Sequence, residues 1–179
     1  MKKFIICWVP LAWKSTLSNH LNSTYGINHI PTDWFVSAFE ETFPGIWIQH
    51  WFWLTIKGYE KVCKKITPFI TSFINEIQNQ NIYWDYVIEW CHWDLSALEK
   101  LQETHKIIVL WYPTVTTKEK LALVRKVDKG NWTNKLLDEE LSEIIKFWIE
   151  ISNTLQSQSK QYGFQFIDTH AEYESIFLI

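Results

Sequence analysis

The chain has 179 residues, 47% of them hydrophobic and 21% charged, enough for one domain spanning residues 1–179 with a sizeable core. Its formal charge of −3, without any basic run, excludes a general attraction to nucleic acid or to an anionic membrane, so neither is expected as a partner. Cys7, Cys63 and Cys91 are scattered and odd in number and have no C-x-x-C spacing, which points to a reducing compartment and a cytoplasmic protein.

The chain opens with Met1-Lys2-Lys3 and an apolar run from Phe4 to Ala12. That run is too short to span a membrane and lacks a small-residue cleavage site, so Lys3–Cys7 reads as a buried first strand. The strand passes into Trp8-Val9-Pro10-Leu11-Ala12-Trp13-Lys14-Ser15-Thr16, which has the spacing G-x-x-x-x-G-K-[ST] with tryptophan at both glycine positions. A phosphate-binding loop wraps consecutive backbone N–H groups around an anion, which needs glycine for dihedral freedom and for close approach. A left-handed backbone would cost tryptophan about 1–2 kcal/mol. The larger obstacle is the volume of an indole in the anion site.

Beyond the loop, helical periodicity predicts helices over 15–24, 34–43, 58–80, 94–104, 117–126 and 136–161. Short apolar runs predict strands at Asn28–Pro31, Tyr86–Glu89, Lys106–Leu110 and Gln165–Ile167. Strands alternating with helices give an α/β class with parallel βαβ units. The polar break at 127–135, containing Asp128-Lys129-Gly130-Asn131, is the candidate lid. Cys91-His92 with Asp94 lacks the second ligand pair that a metal site needs, and no histidine joins a serine or cysteine in a nucleophilic constellation. The stretch from Trp47 to Trp53 reads equally as core or as ligand contacts.

The chain has 12 tryptophans against 5 glycines. Average glycine usage of about 7% would supply roughly twelve to thirteen. Trp8, Trp34, Trp90 and Trp111 all fall near the carboxyl end of a predicted strand, the edge of a parallel sheet where ligands bind and glycine is expected. Sixteen lysines against a single arginine, Arg125, fit an AT-rich gene. The reading that follows is that UGA codons meaning glycine were translated as tryptophan at roughly eight to ten positions, 8, 13, 34, 90 and 111 among them, which would restore about average glycine usage. Trp132, in the candidate lid, and Trp148, inside the long helix where glycine would cost about 1 kcal/mol, would be genuine. The rival reading takes each tryptophan at face value and gives a degenerate, catalytically dead loop domain with an aromatic-lined crevice for binding.

Phe4 to Thr16, His29-Ile30-Pro31-Thr32-Asp33, Tyr86 to Trp90, Arg125 to Thr133 and Phe166-Ile167-Asp168-Thr169 together resemble the small P-loop kinases. The group is the nucleoside-monophosphate-kinase-like one, including its 2-phosphoglycerate-kinase-like and zeta-toxin-like branches. The resemblance implies a three-layer α/β/α fold with a five-stranded parallel sheet in the order 2-3-1-4-5. It also implies transfer of the γ-phosphoryl group of ATP to a small-molecule hydroxyl or phosphate, with Mg²⁺. Residues 8–16 would cradle the phosphates. Lys14 would reach the β- and γ-phosphates, Ser15 would ligate Mg²⁺, and Thr16 would support the phosphate nearer the adenine. Asp33 would orient or deprotonate the acceptor, its alternative being a helix N-cap. Glu89 would be a water-mediated magnesium partner, and Arg125 would close over ATP, its alternative being a surface cation at a helix end. The scarcity of arginine leaves no clamp for an acceptor phosphate. The sequence specifies neither the acceptor nor an oligomeric state.

Overall fold

The computed structural model describes residues 2–43, 55–80, 84–127 and 132–171. Three of its strands, β1 (Lys3–Trp8), β3 (Tyr86–Trp90) and β4 (Lys106–Trp111), are nearly continuous apolar runs. That composition suits strands covered on both faces, and Ile5, Ile6, Ile88, Ile108, Val109 and Leu110 are wholly buried. The shorter β2 (Asn28–Pro31) and β5 (Gln165–Asp168) are more polar and form the two edges.

All strand pairs are parallel and the sheet order is β2-β3-β1-β4-β5, as the resemblance implied. Parallel crossovers are right-handed. The step from β1 to β2 therefore places α1 (Lys14–Tyr25) on one face of the sheet. The opposite steps place α2 (Asp33–Thr42), α3 (Ile56–Asn79), α4 (Leu95–Leu98), α5 (Thr117–Val127) and α6 (Asp138–Tyr162) on the other. This is a three-layer α/β/α arrangement with helices on both faces of the sheet. Helix α3 shows why such helices dock: Tyr59, Cys63, Ile66, Ile70, Ile74 and Ile77 recur at steps of three and four and form one buried stripe.

The elements depart from expectation in small ways that bear on the site. Strands β1, β3, β4 and β5 each run one residue further than predicted, so Trp8, Trp90, Trp111 and Asp168 end their strands at the carboxyl edge. The helix predicted over 94–104 is split into α4 and a 3-10 turn at Glu99–Glu103. Leu95, Leu98 and Leu101 are buried at a strict three-residue period, which matches the 3-10 repeat rather than 3.6. Of the lid candidate, Trp132–Lys135 forms a 3-10 turn with Thr133 buried, while residues 128–131 lie outside the described residues, as does the stretch Trp47–Trp53. Among the described residues no helix is long and apolar enough to cross a membrane.

Candidate functional site

The loop between β1 and α1 makes a tight corner, with the Ala12 N–H donating to Val9 O at 3.1 Å. Leu11 (φ 69°) and Trp13 (φ 63°) are the only described non-glycine residues with positive φ. Elsewhere the chain meets this need with glycine: Gly26 (φ 67°) closes α1 and Gly163 (φ 70°) closes α6. Each non-glycine instance costs about 1–2 kcal/mol. The backbone thus requires left-handed residues at 11 and 13. Trp8, placed by the motif at a glycine position, has ordinary backbone and a buried ring whose Nε1 has no hydrogen-bond partner among the described residues. Trp13 offers no side-chain cap, so α1 begins with the N–H groups of Lys14, Ser15 and Thr16 unpaired within the helix.

Lys14 begins α1 and meets carboxylates from two other elements. Its Nζ bonds the Asp33 carboxylate, lies 3.1 Å from Glu89 Oε1, and stacks 3.8 Å from the centre of the Trp8 ring. Glu89 also accepts from Ser18 Oγ at 2.9 Å, one turn along α1, and lies 3.2 Å from His29 Nε2 on β2. Burial alone would lower the Lys14 pKa, but the charges of Glu89 and Asp33 outweigh it and leave it raised. Burial likewise opposes ionisation of Glu89, yet the His29 contact and the Lys14 charge hold its pKa below the usual value. Thr32 ties the two strand ends, its Oγ1 donating to Glu89 O at 2.6 Å. Thr32, not Asp33, is the N-cap of α2, which leaves the Asp33 carboxylate to Lys14.

Lys14 and Asp33 line a cleft of about 880 Å³, a size that fits a small ligand. The whole predicted loop except Val9 lines it, Ser15 and Thr16 included, together with Asp33, Ser37, Cys91 and His92. Its lining also includes the apolar Val124, Leu136, Ile144, Phe147, Trp132 and Trp148, and the carboxylates Glu140 and Glu143. Trp148 is buried edge-on against Tyr59, with ring centroids 5.7 Å apart.

Lys14, Asp33 and Glu89 are thus brought together, but Arg125 is not. Its Nη1 donates to Thr133 O at 2.7 Å, its Nη2 to Leu136 O at 2.8 Å, and its Nε to Asp138 at 2.9 Å. It ties α5 to the start of α6 and does not line the cleft. Glu89 does not line it either, whereas Ser15 does. Cys91 Sγ lies 2.9 Å from His92 Nδ1, and burial pushes that thiol well up. No described group of three His, Cys, Asp or Glu residues forms a metal cluster.

Sequence reasoning missed Ser18, His29, Tyr112 and Lys120. Ser18 lies four residues beyond Lys14 on the same helical face, a legible signal. Tyr112 Oη donates to Pro10 O and Lys120 Nζ donates to Leu11 O, each at 2.7 Å, so both brace the loop from behind. Lys120 is 1% exposed and burial pulls its pKa down to about 7, with the Asp168 charge opposing. Its only signal in the sequence is Val124 four residues on, which shares its buried stripe.

No family model matches the chain, and no curated protein does. Twenty solved chains match it. One is an unliganded sugar kinase from Janibacter sp., 12% identical, overlapping 84% of this chain and 95% of that one with a TM-score of 0.41. A superposition that loose carries no argument about what this chain does.

Proposed function

We propose that the chain is an ATP-dependent kinase for a small-molecule acceptor, its loop completed when residues 8 and 13 are glycine. The observation that carries this reading is the loop itself: left-handed corners at Leu11 and Trp13 deliver Lys14 to the start of α1, facing Asp33 across the cleft. Phosphates would lie on the open N–H groups of α1 and draw the Lys14 ammonium away from Asp33. The freed Asp33 carboxylate would take the proton of an acceptor hydroxyl as its oxygen bonds to the γ-phosphorus and the bond to ADP breaks. Bound magnesium would neutralise charge on the phosphates. Ser15 supplies a hard oxygen facing the cleft, and Glu89, already engaged by Lys14, His29 and Ser18, would reach a cation only through water. Among the described cleft-lining residues Lys14 is the single lysine or arginine, beside Asp33, Glu140 and Glu143. That inventory favours an acceptor without a phosphate of its own. Residues 127–135 would close over the nucleotide as a lid.

The test is calorimetric titration of Mg-ATP into the chain as written, into the Trp8→Gly/Trp13→Gly chain, and into that chain carrying Lys14→Ala. Binding gained with the two glycines, and weakened at least about tenfold by Lys14→Ala, supports the kinase. No binding in the two-glycine chain overturns it and favours an aromatic-lined binding module. Codons at 8, 13, 34, 90 and 111, with 132 and 148 as controls, decide the misreading independently.

A further inference from the structure

The loop that presents Lys14 contains a conformation that leucine does not hold willingly, the left-handed corner at Leu11. Two side chains from the β4–α5 unit grip the carbonyl oxygens on either side of it: Tyr112 Oη takes Pro10 O and Lys120 Nζ takes Leu11 O. The ammonium also packs 3.9 Å from the centre of the Tyr112 ring, so the two braces form one unit. Among the described residues the Leu11 carbonyl is the hydrogen-bond partner of the Lys120 side-chain nitrogen. Burying an amine costs free energy that an apolar side chain of similar length would not. The loop carbonyl is what the position has in return. Lys120 does not line the cleft, so whatever it does there passes through the loop.

We infer that Lys120, acting with Tyr112, is a positioning residue for the phosphate loop: it keeps the Pro10 and Leu11 carbonyl oxygens turned away from the cleft. Its consequence for binding rests on the kinase reading above. In a trans peptide the C=O and N–H point in opposite directions. Holding Pro10 O at Tyr112 therefore turns the Leu11 N–H away from Tyr112, and holding Leu11 O keeps the next peptide plane from flipping. Released, the strained corner would relax and could carry an electron-rich oxygen into the path of an anion, which repels it.

A double-mutant cycle tests the brace in the full-length Trp8→Gly/Trp13→Gly chain, with Mg-ATP as the probe. Lys120→Met is expected to weaken binding about tenfold or more, and Tyr112→Phe to act in the same direction. With Leu11→Gly added, the corner is at home without restraint, and the effect of Lys120→Met is expected to shrink to within about threefold. Equal binding with and without Lys120, or an undiminished loss in the Leu11→Gly background, overturns the inference. A crystal structure of the Lys120→Met chain reads the brace without ATP. Leu11 leaving positive φ supports it, and Leu11 unmoved overturns it. If the two-glycine chain fails to bind ATP, the kinase reading falls while the crystal structure still decides the brace.

Discussion

At the scale of single residues, Lys14 rests against the groups that would release it when an anion arrives. Its single positive charge is shared by Asp33 and Glu89 and offsets the desolvation of the buried Glu89 carboxylate in particular. Glu89→Gln removes the buried member of this cluster while keeping its shape. The expected outcome is a loss of about 3 kcal/mol in denaturant unfolding, together with loss of the Glu89 contribution to acid sensitivity. The sign follows from linkage: Glu89 ionises below its ordinary value in the folded chain, so its stabilisation is present above that value and fades as pH falls through the folded one. Asp33→Ala, in the chain carrying glycine at 8 and 13, is expected to lower phosphoryl transfer by about 10²–10⁴-fold. Turnover unchanged in a coupled ADP-release assay would remove Asp33 as the base.

At the scale of elements, the helix ends carry the predictions. Arg125 uses all three donor directions to hold the Thr133–Asp138 segment to α5, and it stands half-buried rather than open to the cleft. Arg125→Met is expected to cost about 1–2 kcal/mol, because charge-assisted bonds to carbonyls are lost and those carbonyls regain only water. Hydrogen exchange should speed up at residues 133–137 while the β1 and β3 amides stay protected. Uniform loss of protection across the sheet would show that the tie is not local. Gly26→Ala tests the C-terminus of α1: open space surrounds its Cβ position, so the positive φ is the whole penalty, about 1 kcal/mol by thermal unfolding.

At the scale of the whole molecule, the titrating groups set a stability optimum. His105 is kept neutral down to about pH 4 by burial, helped by Lys3, so between there and its ordinary value the unfolded chain binds the extra proton and stability rises with pH. Lys120 continues the trend, because its amine loses its proton near pH 7 when folded but only near 10.5 when unfolded. Above about pH 9 the sign reverses. Burial holds Cys7, Cys63 and Cys91 as thiols when folded, whereas the unfolded chain releases those protons. Melting temperatures are therefore expected to climb from pH 4, to peak between about 7 and 9, and to fall beyond. Lys120→Met should flatten the rise above pH 7. A wild-type curve already flat there would contradict the burial of that amine.

The strands and most helices were legible in the sequence because their signals are local. β1, β3 and β4 are nearly continuous apolar runs, α3 repeats its buried stripe at steps of three and four, and the lysine and serine of the loop sit at a fixed spacing after the first strand. The sheet order came from resemblance rather than from periodicity. What no window of the sequence contained is the meeting of distant residues: Lys14 with Asp33 and Glu89, Tyr112 with Pro10, Lys120 with Leu11, and Arg125 with the turn before α6. The left-handed need at Leu11 was hidden as well, because a backbone dihedral leaves no mark on an amino acid that does not favour it. Spacing along one chain determined which residues share a helix face or end a strand. Only the register of the parallel sheet, which stacks the carboxyl ends of β1, β2, β3 and β4 side by side, decided which of them touch.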